Sequence, residues 1–105
     1  MPDRRNGAFV YIISNGHRTL YTGCTTDLIS RMREHKEGTY ENAFTRRYNF
    51  DRLVYFEWLP SLKEAAAREK QIKSWTRAKR GALIASINPQ WEDLNRTLGD
   101  LVMLR

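Results

Sequence analysis

Five consecutive residues, Phe9-Val10-Tyr11-Ile12-Ile13, are all aromatic or β-branched. A run of that kind settles best as a strand covered on both faces. A turn signal follows in Asn15-Gly16-His17, and Thr19-Leu20-Tyr21-Thr22-Gly23-Cys24 reads as the returning strand. The chain thus commits early to a hairpin that needs a roof on each side. With a three-residue loop, Ser14 pairs with Arg18 and Tyr11 lies opposite Tyr21, two phenols side by side on one sheet face.

The later segments supply the roof. Asp27 caps a helix through about Lys36, closed by Gly38. Residues 39–50 form a polar and aromatic loop containing Thr45-Arg46-Arg47-Tyr48. Leu53-Val54-Tyr55-Phe56-Glu57-Trp58 is a third strand. Ser61 and Glu64 have the spacing of a capping box and open a helix that runs to about Trp75. A further helix from Thr76 to Ile87 stops at Asn88-Pro89. In the tail, Trp91, Leu94, Leu98, Leu101 and Val102 are placed to dock as a short helix. The fold class is α+β, a small antiparallel three-stranded sheet flanked by helices. The 105 residues read as one domain, with a core over 8–95 and a tail over 96–105.

Charge narrows the partner. The net charge is +6, and its distribution says more than its size. Residues 61–80 carry 7 Lys or Arg against 2 Asp or Glu, whereas residues 81–105 carry 2 against 3. A footprint on phosphates and a solvated basic surface both fit that concentration. No run of about 18 apolar residues is present, which argues against a membrane span. The start, Met1-Pro2-Asp3-Arg4-Arg5-Asn6, has no apolar stretch behind it and does not read as a secretory signal. The lone Cys24 excludes an internal disulfide and a thiolate metal cluster. Both features suit a reducing cytoplasm.

Winding the helices locates candidate chemistry. On the helix from Ser61, taken as zero, Leu62, Ala65, Ala66 and Ile72 fall at about 100°, 40°, 140° and 20°, with Glu69 near 80° in their midst. A carboxylate on an apolar stripe must be paired, protonated or bound to a metal. A buried ion pair with an arginine of another helix is an equally good account. On the helix from Asp27, Arg31 and His35 fall at about 40° and 80°, neighbours at the margin of the stripe formed by Leu28, Ile29 and Met32. Such a pair also suits a salt-bridge network, just as Tyr11 and Tyr21 suit a hairpin core.

Taken together, these positions resemble the GIY-YIG nuclease family, in particular its small stand-alone bacterial members related to an excinuclease nuclease domain. The first motif stands as Phe9-Val10-Tyr11 and the second as Tyr21-Thr22-Gly23. Arg31 follows ten residues after the second tyrosine, His35 four later, and Glu69 sits within Ala67-Arg68-Glu69-Lys70-Gln71-Ile72-Lys73. The ending Asn88-Pro89-Gln90-Trp91 is also characteristic of the small group. Phe9 and Thr22 replace the first motif's glycine and the second's isoleucine, as in other small members. Asn88 is available for the family's late asparagine.

The resemblance implies roles. Glu69 would hold one Mg²⁺ or Mn²⁺, and Arg31 would contact the non-bridging phosphate oxygens. Tyr11 would act as general base, with His35, Tyr21 or a water drawing its proton. Gly23 would let backbone approach the scissile phosphate. Lys63, Lys70, Lys73, Lys79 and Arg80, with Arg46 and Arg47 on their loop, would hold flanking phosphates. The implied activity is metal-dependent hydrolysis of phosphodiester bonds in DNA, more than RNA, recognising structure over sequence, in DNA repair or recombination. The alternatives are a catalytically weak nucleic-acid-binding module of the same fold, and a structural domain in which Arg31 and Glu69 form a buried pair. The chain is expected to be a monomer or a weak homodimer, its apolar tail packing on itself or on a second copy.

Overall fold

A computed structural model describes residues 7–37 and 52–98. Three strands, β1 (Ala8–Ser14), β2 (Leu20–Thr25) and β3 (Arg52–Leu59), form an antiparallel sheet in the order β2-β1-β3. Among the described residues three helices accompany these strands: α1 (Leu28–Glu37), α2 (Leu62–Lys73) and α3 (Arg77–Ile87). The apolar run at the chain's start becomes the central strand, the position where both faces are covered.

Alternation along β1 divides the core. Ala8, Val10 and Ile12 pack with Ala65 and Ile72 of α2 and Ile84 of α3. Tyr11 and Ile13 pack on the opposite face with Leu28 and Met32 of α1, and with Leu53 and Leu98. The sheet is therefore a partition with α1 on one side and α2 and α3 on the other. A register shift against β3 between Ile12 and Ile13 sends Tyr55 and Leu53 to opposite faces.

The β1–β2 loop is longer than expected. Ser14 pairs with Leu20, so residues 15–19 form the turn, and Tyr11 stands opposite Gly23 instead of Tyr21. The cause is Asn15, which is 5% exposed. Its side-chain oxygen accepts from the backbone N–H of His17 at 2.9 Å and of Thr19 at 3.0 Å. That satisfies amides a shorter turn would have placed in the ladder. The shift moves the pairing by two residues and preserves parity, so Tyr11 and Tyr21 still share a face as diagonal neighbours.

Local signals set the helix ends. Asp27 accepts from the Ser30 N–H at 3.1 Å, capping α1. Gly38, expected to close it, lies outside the described residues. The Ser61–Glu64 capping box is present, with the Glu64 N–H donating to Ser61 Oγ at 3.1 Å and Ser61 Oγ–H to the Glu64 carboxylate at 3.0 Å. Thr76 caps α3 in the same way through the Lys79 N–H.

The buried face of α2 is centred elsewhere than its apolar residues suggest. Ala65 and Ile72 are fully buried, whereas Leu62 is 51% exposed and Ala66 is exposed too. The stripe is completed by the stems of Arg68 and Trp75, both half-buried. Arg68 Nε reaches Glu57 of β3 at 3.0 Å and its guanidinium lies 5.3 Å from the Trp75 ring centre. Glu69 consequently sits at the rim of the stripe, not in its middle.

After α3 the chain returns to the first residues of β3. The Asn88 side chain, buried, donates to the carbonyls of Val54 at 3.0 Å and Glu92 at 2.9 Å and accepts from the Glu92 N–H at 3.0 Å. Asp93 accepts from the Leu53 N–H, and the Leu94 N–H donates to the Leu53 carbonyl at 2.7 Å. A helical turn at 95–98 seats Leu98 beneath α1. Leu101, Val102 and Leu104 lie outside the described residues. No helix among the described residues is long and apolar enough to cross a membrane.

Candidate active site

Tyr11 projects from the central strand onto the face covered by α1, and it is fully buried. Arg31 and His35, one helical turn apart on α1, both reach its hydroxyl. Arg31 Nη1 donates to Tyr11 Oη at 3.3 Å, and His35 Nε2 lies 3.2 Å from the same oxygen. A guanidinium can only donate, so the Tyr11 oxygen accepts from Arg31, and its own hydrogen is available to His35 Nε2 when the imidazole carries its proton on Nδ1. The Tyr21 ring completes the group, 6.4 Å from Tyr11 and 5.9 Å from His35 between ring centres. Four of the expected residues thus meet on one sheet face.

His35 is held neutral. Burial, and secondly the positive charge of Arg31, push its pKa from 6.5 down to about 4. Above pH 6.5 the ring is neutral in folded and unfolded chains alike. As pH falls from 6.5 towards 4 the unfolded chain takes up a proton that the folded one refuses, so stability is lost across that window. With a discount for partial exposure, the loss is on the order of 1–2 kcal/mol. Urea unfolding of the wild type at neutral and mildly acid pH should show it, and His35→Gln should flatten the curve. An equal acid loss in both proteins would refute the assignment.

Gly23 has a clear steric role. It lies opposite Tyr11, and a Cβ placed there would stand 2.6 Å from Tyr11 Oη. The close approach it permits in this structure is that of the phenol. Gly23→Ala is expected to destabilise the fold by about 1–3 kcal/mol by displacing a buried ring. Denaturant unfolding reads this directly; an unchanged midpoint would mean that Tyr11 is free to move aside.

Glu69 does not join the other four directly. It lies on α2, which packs on the opposite sheet face, and the bridge between the two sides is edge strand β2. Cys24, paired with Val10 on the α2 face, hydrogen-bonds Glu69 and feels the charges of Lys73 and Arg31. Burial, then its bond to the Glu69 carboxylate, raises the Cys24 thiol to about 11. It therefore stays protonated at neutral pH and is no nucleophile. The Glu69 side chain is 20% exposed and ion-paired with Lys73 one turn on, so the expected alternative of a pair with Arg31 is replaced by a pair within α2. Cys24 is not among the candidates read from sequence, although its parity with Val10 on a strand beside α2 is a usable signal.

Among the described residues no three His, Cys, Asp or Glu side chains converge as a metal cage. One rim carboxylate fits a hard divalent ion that keeps its waters and completes its shell with phosphate oxygens, and does not fit a preformed protein site. The basic residues divide. Lys63 and Lys70 are exposed at about 200° and 180° on the Ser61 winding, opposite the Ala65–Ile72 face. Lys79 rests 4.4 Å from the Trp75 ring centre, and Arg80 is half-buried. Arg46 and Arg47 lie outside the described residues. Asn88 is committed to the β3 connection and the loop after α3.

The GIY-YIG catalytic domain family matches residues 7–81. The chain is similar to a UPF0213 protein of Syntrophus aciditrophicus, 38% identical over 82 residues that cover 78% of this chain and 93% of that one. It is similar to another UPF0213 protein, from Haloquadratum walsbyi, 43% identical over 76 residues covering 71% and 83%. Among solved structures, the solution NMR structure of a UPF0213 protein from Bacillus halodurans matches with a TM-score of 0.54 at 31% identity, covering 83% of this chain and 92% of that one. The chain belongs to the GIY-YIG family, a nuclease-type family, and resembles its small UPF0213 members.

Proposed function

We propose that this protein is a divalent-metal-dependent endonuclease that hydrolyses phosphodiester bonds in DNA, selecting structure over sequence. The observation that carries the reading is the Tyr11 hydroxyl held between a permanent cation, Arg31, and a neutral imidazole, His35. A structural core has little use for three polar groups in that order. A hydrolytic site needs a group to take a proton from water and a charge to receive the phosphate.

Arg31 offers its fork to the non-bridging oxygens, where charge grows in the transition state. Its positive charge is one of the two causes that depress His35. A phosphate bound to Arg31 offsets that cause, so the imidazole becomes a better base when substrate is present. Tyr11 is fully buried and Tyr21 half-buried. In this reading Tyr11 is the centre of the relay, passing its proton to His35 Nε2 as it receives one from the side of Tyr21 and the attacking water. Glu69, across the edge of β2, is the residue to hold Mg²⁺ or Mn²⁺, which when bound would stabilise charge on the phosphate and the leaving oxygen. Lys73 neutralises the carboxylate otherwise and would turn to a phosphate when a metal takes its place.

A second reading, a nucleic-acid-binding module with little turnover, draws on that Glu69–Lys73 pair. Incubating the protein with branched, flapped, duplex and single-stranded DNA, and with RNA, in Mg²⁺, Mn²⁺ or chelator separates the two. The endonuclease reading expects cleavage of a branched or flapped DNA that disappears with chelator. Binding without cleavage of any substrate in either metal supports the second reading and removes the first.

A further inference from the structure

Among the described residues two non-glycine residues have left-handed backbone, Arg18 at φ 58° and Trp91 at φ 54°. They are also partners: the Arg18 guanidinium lies 4.8 Å from the centre of the Trp91 ring. Both conformations are unfavourable for residues with a Cβ, and a turn alone would be served better by glycine at position 18. The exception therefore points to the Arg18 side chain, not the turn, as what is being positioned.

Arg77, in the first turn of α3, donates from Nη2 to the Arg18 carbonyl at 2.6 Å. Arg80 follows one helical turn later, and the neighbouring Gly81 faces the Trp91 ring. Arg18 and Arg77 thus meet where the β1–β2 turn joins α3, with Arg80 one turn further along that helix, and none of the three forms an ion pair with a carboxylate among the described residues. The buried Nε of Arg80 has no hydrogen-bond partner among the described residues. The first turn of α3 contains no acidic residue, so these cations also stand at the helix end where the backbone dipole is positive. An arrangement repelled from within is offset by an anion from without. Held over an indole, the Arg18 guanidinium still has N–H donors to offer to phosphate oxygens.

We propose that the β1–β2 turn and the start of α3 form a second phosphate-gripping site, in which Arg18, backed by Trp91, acts with Arg77 and Arg80 to hold the nucleic-acid backbone flanking the cleavage point. It rests on the nuclease reading above and adds an anchor to it. The site lies on the sheet face that also carries Glu69, so a strand held here passes over the α2–α3 side on its way to the edge of β2.

Arg18→Gly is the clean variant, because glycine accepts the left-handed backbone and the turn is retained. Arg77→Gln removes the second charge and leaves a neutral, polar side chain in the first turn of α3. Binding of each to a fluorescein-labelled DNA duplex, measured by anisotropy in chelator over a range of salt, should weaken by roughly fivefold to tenfold at low salt. The slope of log affinity against log salt should become shallower by about 0.9 for each phosphate no longer gripped. Thermal unfolding of the variants near the wild-type midpoint separates this from a folding defect, since a purely structural arginine moves the midpoint and leaves the slope alone. Wild-type affinity and slope in both variants overturn the second site while leaving the endonuclease reading in place. Failure of the wild-type protein to bind any nucleic acid overturns both.

Discussion

Tyr11→Phe is expected to lower cleavage by about 10²- to 10⁴-fold, the range for loss of a positioned proton-transfer group, while the protein stays folded. The two effects separate because the ring and the hydroxyl do different things. The ring fills the space between β1, Gly23 and α1, fully buried, and phenylalanine fills it equally well. The hydroxyl joins Arg31 to His35, and its removal takes away two hydrogen bonds worth about 0.5–1.5 kcal/mol each. Part of that is recovered because both partners are only half-buried and can reach water. Single-turnover cleavage at saturating protein reads the chemical step, and urea unfolding reads the fold. Turnover within a few-fold of wild type, from a folded Tyr11→Phe protein, would remove Tyr11 from the relay and leave Tyr21 as the phenol to examine.

Strand parity survives any register shift of two, so Tyr11 and Tyr21 stay on one face when the loop lengthens from three residues to five. The turn itself depends on Asn15 folding its side chain onto the amides of His17 and Thr19, which hydrophobic pattern does not register. The spacing of Arg31 and His35 is equally legible, since i and i+4 share a helix face whatever covers it. Glu69 is harder. Counting apolar residues gives Leu62 and Ala66 the same weight as Ala65 and Ile72 and so centres the buried face of α2 on Glu69, but α2 meets the sheet through Ala65 and Ile72 with the stems of Arg68 and Trp75 alongside. Long cationic side chains bury their methylenes while hydropathy counts them as outside. The Arg18–Trp91 contact joins residues 73 apart in sequence through two left-handed backbones, and no local pattern encodes that.

The position of Glu69 at a rim, not in a core, fixes what its removal should do. Its side chain is 20% exposed and that of its Lys73 partner 50% exposed, so the pair contributes about 0–1 kcal/mol to stability. Glu69→Gln preserves the size of the side chain and should leave the unfolding midpoint nearly unchanged. Cleavage should fall by about 10³-fold, because a hard cation contributes several kcal/mol to a phosphoryl transition state and each 1.36 kcal/mol is tenfold in rate. A glutamine oxygen is a weaker ligand than a carboxylate, so the residual activity should require a higher Mn²⁺ concentration. Lys73→Ala tests the same carboxylate from the other direction: with the ammonium gone, Mn²⁺ competes with no internal cation, and half-saturation measured by calorimetry should move to lower concentration. A Glu69→Gln protein that cleaves at the wild-type rate with the wild-type Mn²⁺ requirement would take the metal away from α2. The charge on the departing oxygen would then have to be met on the other face of the sheet, where Arg31 is the cation in place.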